Sequence, residues 1–360
     1  MKRFERIAAG GIAISMAVGL MTNSAAAAET IKLTFITGFP PGVTTVGAFI
    51  DVFAPKVNEA LAKGGKYQID WNLAHSGQVV KPRGEPEALQ SGLGDIGLIT
   101  TAFHLDRVPL YRLPYVTPFA SKDPDVVVAA VLAAQKANPA YEEHWRSIGS
   151  TPVGLAEAVD NYVIISKTRL ATLGDLKGLK VGAAGPNIPW LQPLGVAGVT
   201  SDLAAFYNGL ATGIFEAALA WPQAMGGFKL CEPAPHALDA DIGVGSIIAL
   251  NMNVAVYEKL PADVKTAMAE VAAVWSKDAD ARLLAATAAA YERCKTEFRL
   301  QYTKMSDADR VAWAKSLPPF GLDWAKETDA KGMPGTKVLR GYMDELRKAN
   351  QPIARHWDRE

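Results

Sequence analysis

Five histidines, two cysteines and one glycine-rich turn are where this 360-residue chain could do chemistry. His75, His104, His144, His236 and His356 are scattered, and no two stand four residues apart, the spacing that sets a metal-binding pair on one helix face. There is no G-x-S-x-G elbow and no Walker loop. Catalysis therefore has no motif here and could arise only from side chains that converge in space. Cys231 and Cys294 could pair in an oxidising compartment or remain two buried thiols, and neither their spacing nor their neighbours suggest metal ligation.

What remains is a backbone site. The stretch from Asp175 to Pro222 reads as a strand (Leu179 to Ala184), a turn with Gly182 and Gly185, a helix, and a small-residue strand (Phe215 to Trp221). In an open α/β sheet, ligands sit beyond the carboxyl ends of the strands, where glycine admits close backbone approach and helix N-termini offer free N–H groups. The turn from Ala183 to Asn187 is such a place. The same glycines would equally serve a tight turn and close strand packing.

The elements that must position this turn follow from hydrophobic periodicity. Residues 31–36 and 67–73 alternate as strands, and Val46, Phe49, Ile50, Phe53, Val57, Ala60 and Leu61 recur at helical spacing between them. Pro55 should kink that helix or mark its beginning. A short helix at Pro86 to Ser91, a strand at Asp95 to Thr100, helices at Pro124 to Lys136 and Tyr141 to Ser147, and strands near Pro152 to Ala156 and Tyr162 to Ser166 continue the rhythm. This alternation predicts an α/β fold of two lobes, each with a largely parallel sheet. Leu260 to Tyr302 is rich in Ala, Glu, Lys and Leu and predicts a very long helix, or two nearly continuous ones; Ser306 and Asp309 open a shorter one before Pro318.

Lys2, Arg3 and Arg6, the apolar run from Ile7 to Met21 and the small residues from Ser24 to Ala28 read as a signal peptide, residues 1–28, which places the mature chain in the periplasm. Without that segment 34 basic residues face 36 acidic ones, so nucleic acid and anionic membranes lose their electrostatic footing as partners. No later apolar run approaches the roughly 20 residues needed to cross a bilayer.

LGDLKGLKVGAAGPN, YNGLATGIFEAALAWP and VYEKLPADVKTAMAEVA, preceded by SGQVVKPRGEPEALQSGLGDIG and LPYVTPFAS, resemble the extracytoplasmic solute-binding proteins of TRAP transporters, the DctP-like family, in order and spacing over nearly all the mature chain. The resemblance implies a two-lobed periplasmic-binding-protein-like fold with a long helix spanning both lobes. Lobe I would hold residues 29–158 and 247–287, and lobe II residues 159–246 and 288–360. It implies a monomer without enzyme activity, cofactor or metal, which closes on a small-molecule solute and presents it to a TRAP membrane permease.

The departures from that family carry the ligand reading. Its usual carboxylate-binding arginine falls on Gly182, and a second common arginine falls on Tyr162. Ile36, Thr100, Leu203 and Ala220 fall on positions often held by polar or aromatic contacts. Phe35, Phe39, Phe103, Trp190, Tyr207 and Trp221 could wall the cleft, and Asn161, Tyr162 and Asn187 could supply hydrogen bonds. A neutral, apolar or aromatic solute is expected, because a buried carboxylate without its cation bears a desolvation cost of several kcal/mol. The competing expectation is an organic acid held by backbone N–H groups at Gly182 to Gly185 or by Arg83. A receptor feeding a sensor is a further alternative.

Overall fold

A computed structural model describes Met1, residues 28–243 and residues 245–359; the expected signal segment, apart from its first and last residues, lies outside them. In chain order the described strands begin with β1 (Glu29–Ile36), β2 (Tyr67–Ala74), β3 (Ile96–Thr100), β4 (Ser150–Glu157) and β5 (Val163–Ser166). They continue with β6 (Lys180–Ala183), β7 (Ala197–Thr200), β8 (Ala217–Ala220), β9 (His236–Asp239), β10 (Ile247–Asn253) and β11 (Gln301–Lys304).

They form two sheets, ordered β2-β1-β3-β10-β4 and β11-β9-β5-β8-β6-β7. β1 runs parallel to β2 and β3, whereas β10 is antiparallel to both β3 and β4. In the second sheet β5 is the antiparallel member, between β8 and β9. Each sheet thus receives one reversed strand directly after the chain has crossed from the other sheet. The crossings are residues 158–162, from β4 to β5, and 240–246, from β9 to β10.

The alternation in the sequence is realised in β1, where Leu33 and Phe35 are buried and Lys32 is exposed. Phe35 stacks on Phe49 at 3.8 Å between ring centroids, and Phe49 meets Trp71 of β2 edge-on at 5.5 Å. The helix carrying Phe49 runs without a break from Thr44 to Ala62 and widens into a π-helical turn over Phe49–Phe53. That widening accommodates Pro55, which has no N–H to donate and would crowd the carbonyl four residues back. So Pro55 neither starts the helix nor breaks it.

The long helix runs from Ala262 to Phe298, about 55 Å at 1.5 Å per residue, and packs on both halves of the fold. Trp275 on it donates to the Thr45 carbonyl at 3.1 Å. It is shorter than the composition suggests because Arg299 takes a left-handed conformation (φ 57°) and Gln301–Lys304 pairs with β9 instead. Ser306 caps the next helix, Asp307–Ser316, by accepting the Asp309 N–H, as the sequence predicts.

Helices Phe320–Ala330 and Gly335–Lys348 complete the chain. The last one packs against helix Pro124–Ala137, which lies between β3 and β4. Trp313 donates to the Trp190 carbonyl and Trp357 to that of Pro118, each at 2.8 Å. The C-terminal segment therefore grips elements of both sheets.

Of the two states open to the cysteines, the structure takes the disulfide. Cys231 and Cys294 are bonded, with Cα atoms 5.8 Å apart, and join the region after helix Pro222–Gly227 to the end of the long helix. Both are fully buried beside Phe206 and Phe215. The bridge closes a 63-residue separation and limits the unfolded chain accordingly. Replacing both cysteines by alanine is expected to cost about 2–4 kcal/mol of stability. Thermal denaturation with and without reductant checks this: reductant should lower the melting temperature of the parent protein and leave that of the double variant unchanged.

Candidate ligand site between the two sheets

The parallel strands of the first sheet lead into the segments that begin at Thr37, His75 and Thr101. Gly38, just past β1, lies so close to Pro82 that an added Cβ would sit 2.1 Å from the proline nitrogen. The buried carboxylate of Glu85 accepts the Gly38 N–H at 3.0 Å, so the loop from Lys81 to Gly84 is clamped to the end of β1. Arg83 is held in this loop at φ 79°, and its guanidinium lies 4.2 Å above the ring of Phe103, which is 39% exposed. Among the described residues Arg83 has no ion-pair partner.

The second sheet offers an aromatic cluster centred on Tyr162, where the first crossing enters β5. Trp190 meets the Tyr162 ring edge-on at 5.4 Å and Trp221 does so at 6.1 Å, contacts worth about 0.5–1.5 kcal/mol each beyond their buried area. Its hydroxyl is 3.3 Å from that of Tyr115, whose backbone carbonyl accepts the indole N–H of Trp190 at 3.1 Å. Burial pushes the Tyr115 phenol up and the Tyr162 phenol well above the ordinary range, so both are neutral hydrogen-bonding groups at physiological pH. Asn187 is 2% exposed, and its amide Nδ2 has no hydrogen-bond partner among the described residues. A cavity of about 270 Å³ is lined by Trp190 and Tyr115 together with Arg112, Pro186, Phe320 and Trp324.

The residues singled out in the sequence fall into three groups. Tyr162, Asn187, Trp190 and Trp221 gather in one place. Phe103 lies with Arg83 beyond the first sheet, Phe39 is half-buried near Phe35, Thr100 is half-buried at the end of β3, and Leu203 is half-buried at the start of helix Leu203–Thr212. Asn161 serves the crossings: its Nδ2 donates to Asp239 at 2.8 Å and its Oδ1 accepts the Gly243 N–H at 2.9 Å.

Ile36, Gly182 and Ala220 point into the lobes. Ile36 covers Gly94 and Gly97, Ala220 is fully buried, and a Cβ on Gly182 would strike the Phe215 ring at 2.8 Å. Gly182 is thus needed for close packing, the plainer of the two roles open to it. Tyr115 is the member of the cluster that sequence reasoning passed over. It sits in LPYVTPF, a segment without periodicity whose only cue is an aromatic residue between prolines. No group of three or more His, Cys, Asp or Glu among the described residues is arranged to hold a metal.

Two open α/β sheets are thus joined by two crossings and one long helix. A family model for bacterial extracellular solute-binding proteins, family 7 (DctP), matches residues 39–327. The chain belongs to that family. Among solved structures, a TRAP periplasmic solute-binding protein from Desulfovibrio salexigens in an open complex is 21% identical, with a TM-score of 0.78 over 88% of this chain and 96% of that one. One from Bordetella bronchiseptica, bound to (R)- and (S)-mandelate, is 20% identical over 89% and 99% of the two chains, with a TM-score of 0.72. Another from Rhodoferax ferrireducens, with copurified benzoate, is 18% identical over 89% and 98%, with a TM-score of 0.72. These likenesses bear out the two-lobed α/β fold. No curated protein sequence matches the chain.

The Gly182 packing in this DctP-family protein is open to test. Gly182→Ala should cost about 1–3 kcal/mol through overpacking against Phe215, whereas Tyr162→Phe, which keeps the ring and removes one hydroxyl contact, should cost about 1 kcal/mol. Urea denaturation of the two variants measures both.

Proposed function

We propose that this DctP-family chain is the periplasmic receptor of a TRAP-type transporter, secreted through residues 1–28, and that it binds a neutral, apolar or aromatic solute. In this reading residues 29–158 and 247–287 form one lobe and residues 159–246 and 288–360 the other. They hinge at the crossings as a monomer. A solute touching both lobes favours the closed state by the difference in its contacts between the two states. The closed form is what a membrane permease would recognise.

The observation that carries the solute class is the cluster of Tyr162, Trp190 and Trp221 around the Asn187 amide, with no guanidinium among them. The half-buried faces of Trp221, Leu203 and Phe39 would meet the solute, with Tyr162 and Trp190 behind them. A carboxylate placed against that wall would lose its hydration and gain no cation.

Arg83 supports a second reading. Its unpaired guanidinium, stacked on Phe103, would suit an aromatic acid whose ring lies across the cleft. Benzoate and mandelate in the related structures have that chemistry.

A thermal-shift panel separates the two, since a solute at a hundred times its Kd adds about 2.7 kcal/mol of stability. Neutral aromatic solutes should raise the melting temperature of both the parent and Arg83→Ala. Stabilisation by benzoate or mandelate that disappears in Arg83→Ala would select the aromatic-acid reading. Strong stabilisation by short dicarboxylates would exclude the neutral-solute reading. Mass spectrometry of whatever co-purifies identifies the solute directly.

A further inference from the structure

The cavity of about 270 Å³ beside Trp190 belongs to neither solute reading. Of the residues placed against the solute or behind it, Trp190 lines this cavity, whereas Tyr162, Asn187, Trp221, Leu203, Phe39 and Arg83 do not. Three parts of the chain build it. Arg112 and Tyr115 come from the segment between β3 and β4, Pro186 and Trp190 from that between β6 and β7, and Phe320, Asp323, Trp324 and Glu327 from helix Phe320–Ala330.

The aromatic walls are held in place and have their polar atoms occupied. The indole N–H of Trp190 donates to the Tyr115 carbonyl at 3.1 Å and that of Trp324 to the Pro109 carbonyl at 3.3 Å. Both indoles are buried, and Phe320 stacks on Trp357 with ring centroids 6.0 Å apart. The Tyr115 hydroxyl already lies 3.3 Å from that of Tyr162. These four rings give the cavity an apolar surface, and polar recognition falls to its charged side chains.

Those side chains are Arg112, Asp323 and Glu327, and all three are exposed. Asp323 and Glu327 stand four residues apart on one helix, so they share a face and their charges repel. Among the described residues none of the three side chains has a hydrogen bond or an ion pair. The guanidinium and the two carboxylates therefore stand more than 4.0 Å apart although they line one cavity. Opposite charges held in this way are left for an entering molecule to match.

We propose that this cavity is a second binding site, separate from the solute site, for a small zwitterion with an apolar ring, such as an α-amino acid with an aromatic side chain. Its ammonium group pairs with Asp323 and Glu327 and relieves their repulsion, while its carboxylate accepts from the Arg112 guanidinium. Its ring rests on the walls made by Trp190, Phe320 and Trp324. A ligand of single charge fits less well, because an anion meets two carboxylates and a cation meets an unmatched guanidinium. The volume lies below the range of about 300–1,000 Å³ in which drug-sized ligands sit, so the occupant is small. The proposal rests on the cavity and its charges, not on either reading of the solute.

Titration calorimetry of the mature protein with phenylalanine, phenethylamine and 3-phenylpropionate, which share one ring and differ in charge, tests this. Phenylalanine should bind, and each single-charge analogue should bind at least about tenfold more weakly. Arg112→Gln and Glu327→Gln should each weaken phenylalanine by about tenfold or more without lowering the melting temperature. Arg83→Ala and Trp221→Ala, which alter the proposed solute site, should leave its affinity unchanged. No saturable binding of phenylalanine, equal binding of either analogue, or an affinity that Arg112→Gln does not change would overturn the proposal. The comparison of the three probes on the parent protein decides the matter even where a variant does not fold. Phenylalanine binding that disappears in Trp221→Ala and persists in Arg112→Gln belongs to the solute site, which overturns the second site and leaves the solute readings to the thermal-shift panel.

Discussion

The side-chain amide of Asn161 holds together the two places where the chain passes between the sheets. It donates to Asp239 at the end of β9 and accepts from Gly243 in the second crossing, while its own backbone belongs to the first. Asp239 is shared further, accepting the Tyr302 hydroxyl at 2.5 Å and the Asp241 N–H at 2.8 Å. The backbone adds a second tie between the crossings, the Ala158 N–H donating to the Ser246 carbonyl at 2.9 Å. A hinge needs few residues that change conformation and a firm boundary around them. Asn161 and the Ala158 to Ser246 backbone bond together hold the two crossings side by side. Tyr162 follows Asn161 directly, and so the aromatic cluster starts from a residue next to this tie.

The parts of the fold that were legible in the sequence are those with an internal period. The alternation over 31–36 and 67–73, the helical spacing through Val57 and Leu61, the unbroken run after Pro261 and the cap at Ser306 all became the expected elements. β7 and β11 were illegible because each is a mostly exposed edge strand with no buried face to imprint a pattern, whereas β5, β6 and β8, equally short, are mostly buried apolar runs. β10 escaped notice for another reason: Ile247 to Met252 is buried on both sides, so its burial leaves no alternation to read. Arg299 shows how a helix can stop without glycine or proline, by one residue taking the left-handed region.

At the site, residue type was legible and direction was not. Trp190, Trp221, Tyr162 and Asn187 were singled out as residues suited to an apolar ligand, and the fold does gather them. Gly182 lies on a strand whose neighbours Val181 and Ala183 face one side of the sheet, leaving it on the other, under Phe215. Counting along a motif gives a position but not a face, because one residue of slippage in a strand reverses every side chain. Tyr115 reaches the cluster from the short helix Leu113–Val116, 47 residues before Tyr162, and no spacing rule connects the two.

Buried polar groups that lack partners are costly, and among the described residues they occur beside the first crossing as well as within the two halves, as at Asn138, His236 and Asn251. Beside the first crossing are Asp160 within it, Glu157 at the end of β4, and Asp280 and Thr287 on the long helix, each with a buried oxygen that lacks a partner among the described residues. The sheets on either side are lined with buried Ile, Leu, Val, Ala and Phe. A protein selected only for stability would place apolar residues at such positions, since well-packed replacements for buried ionic groups are often neutral or stabilising. Elements that move tend to be drawn from the less stable end of a structure. Polar groups that are imperfectly satisfied in one arrangement also lower the cost of leaving it. At the first crossing that lowered cost coincides with the passage of the chain from β4 to β5, whereas the strands on either side keep their regular ladders.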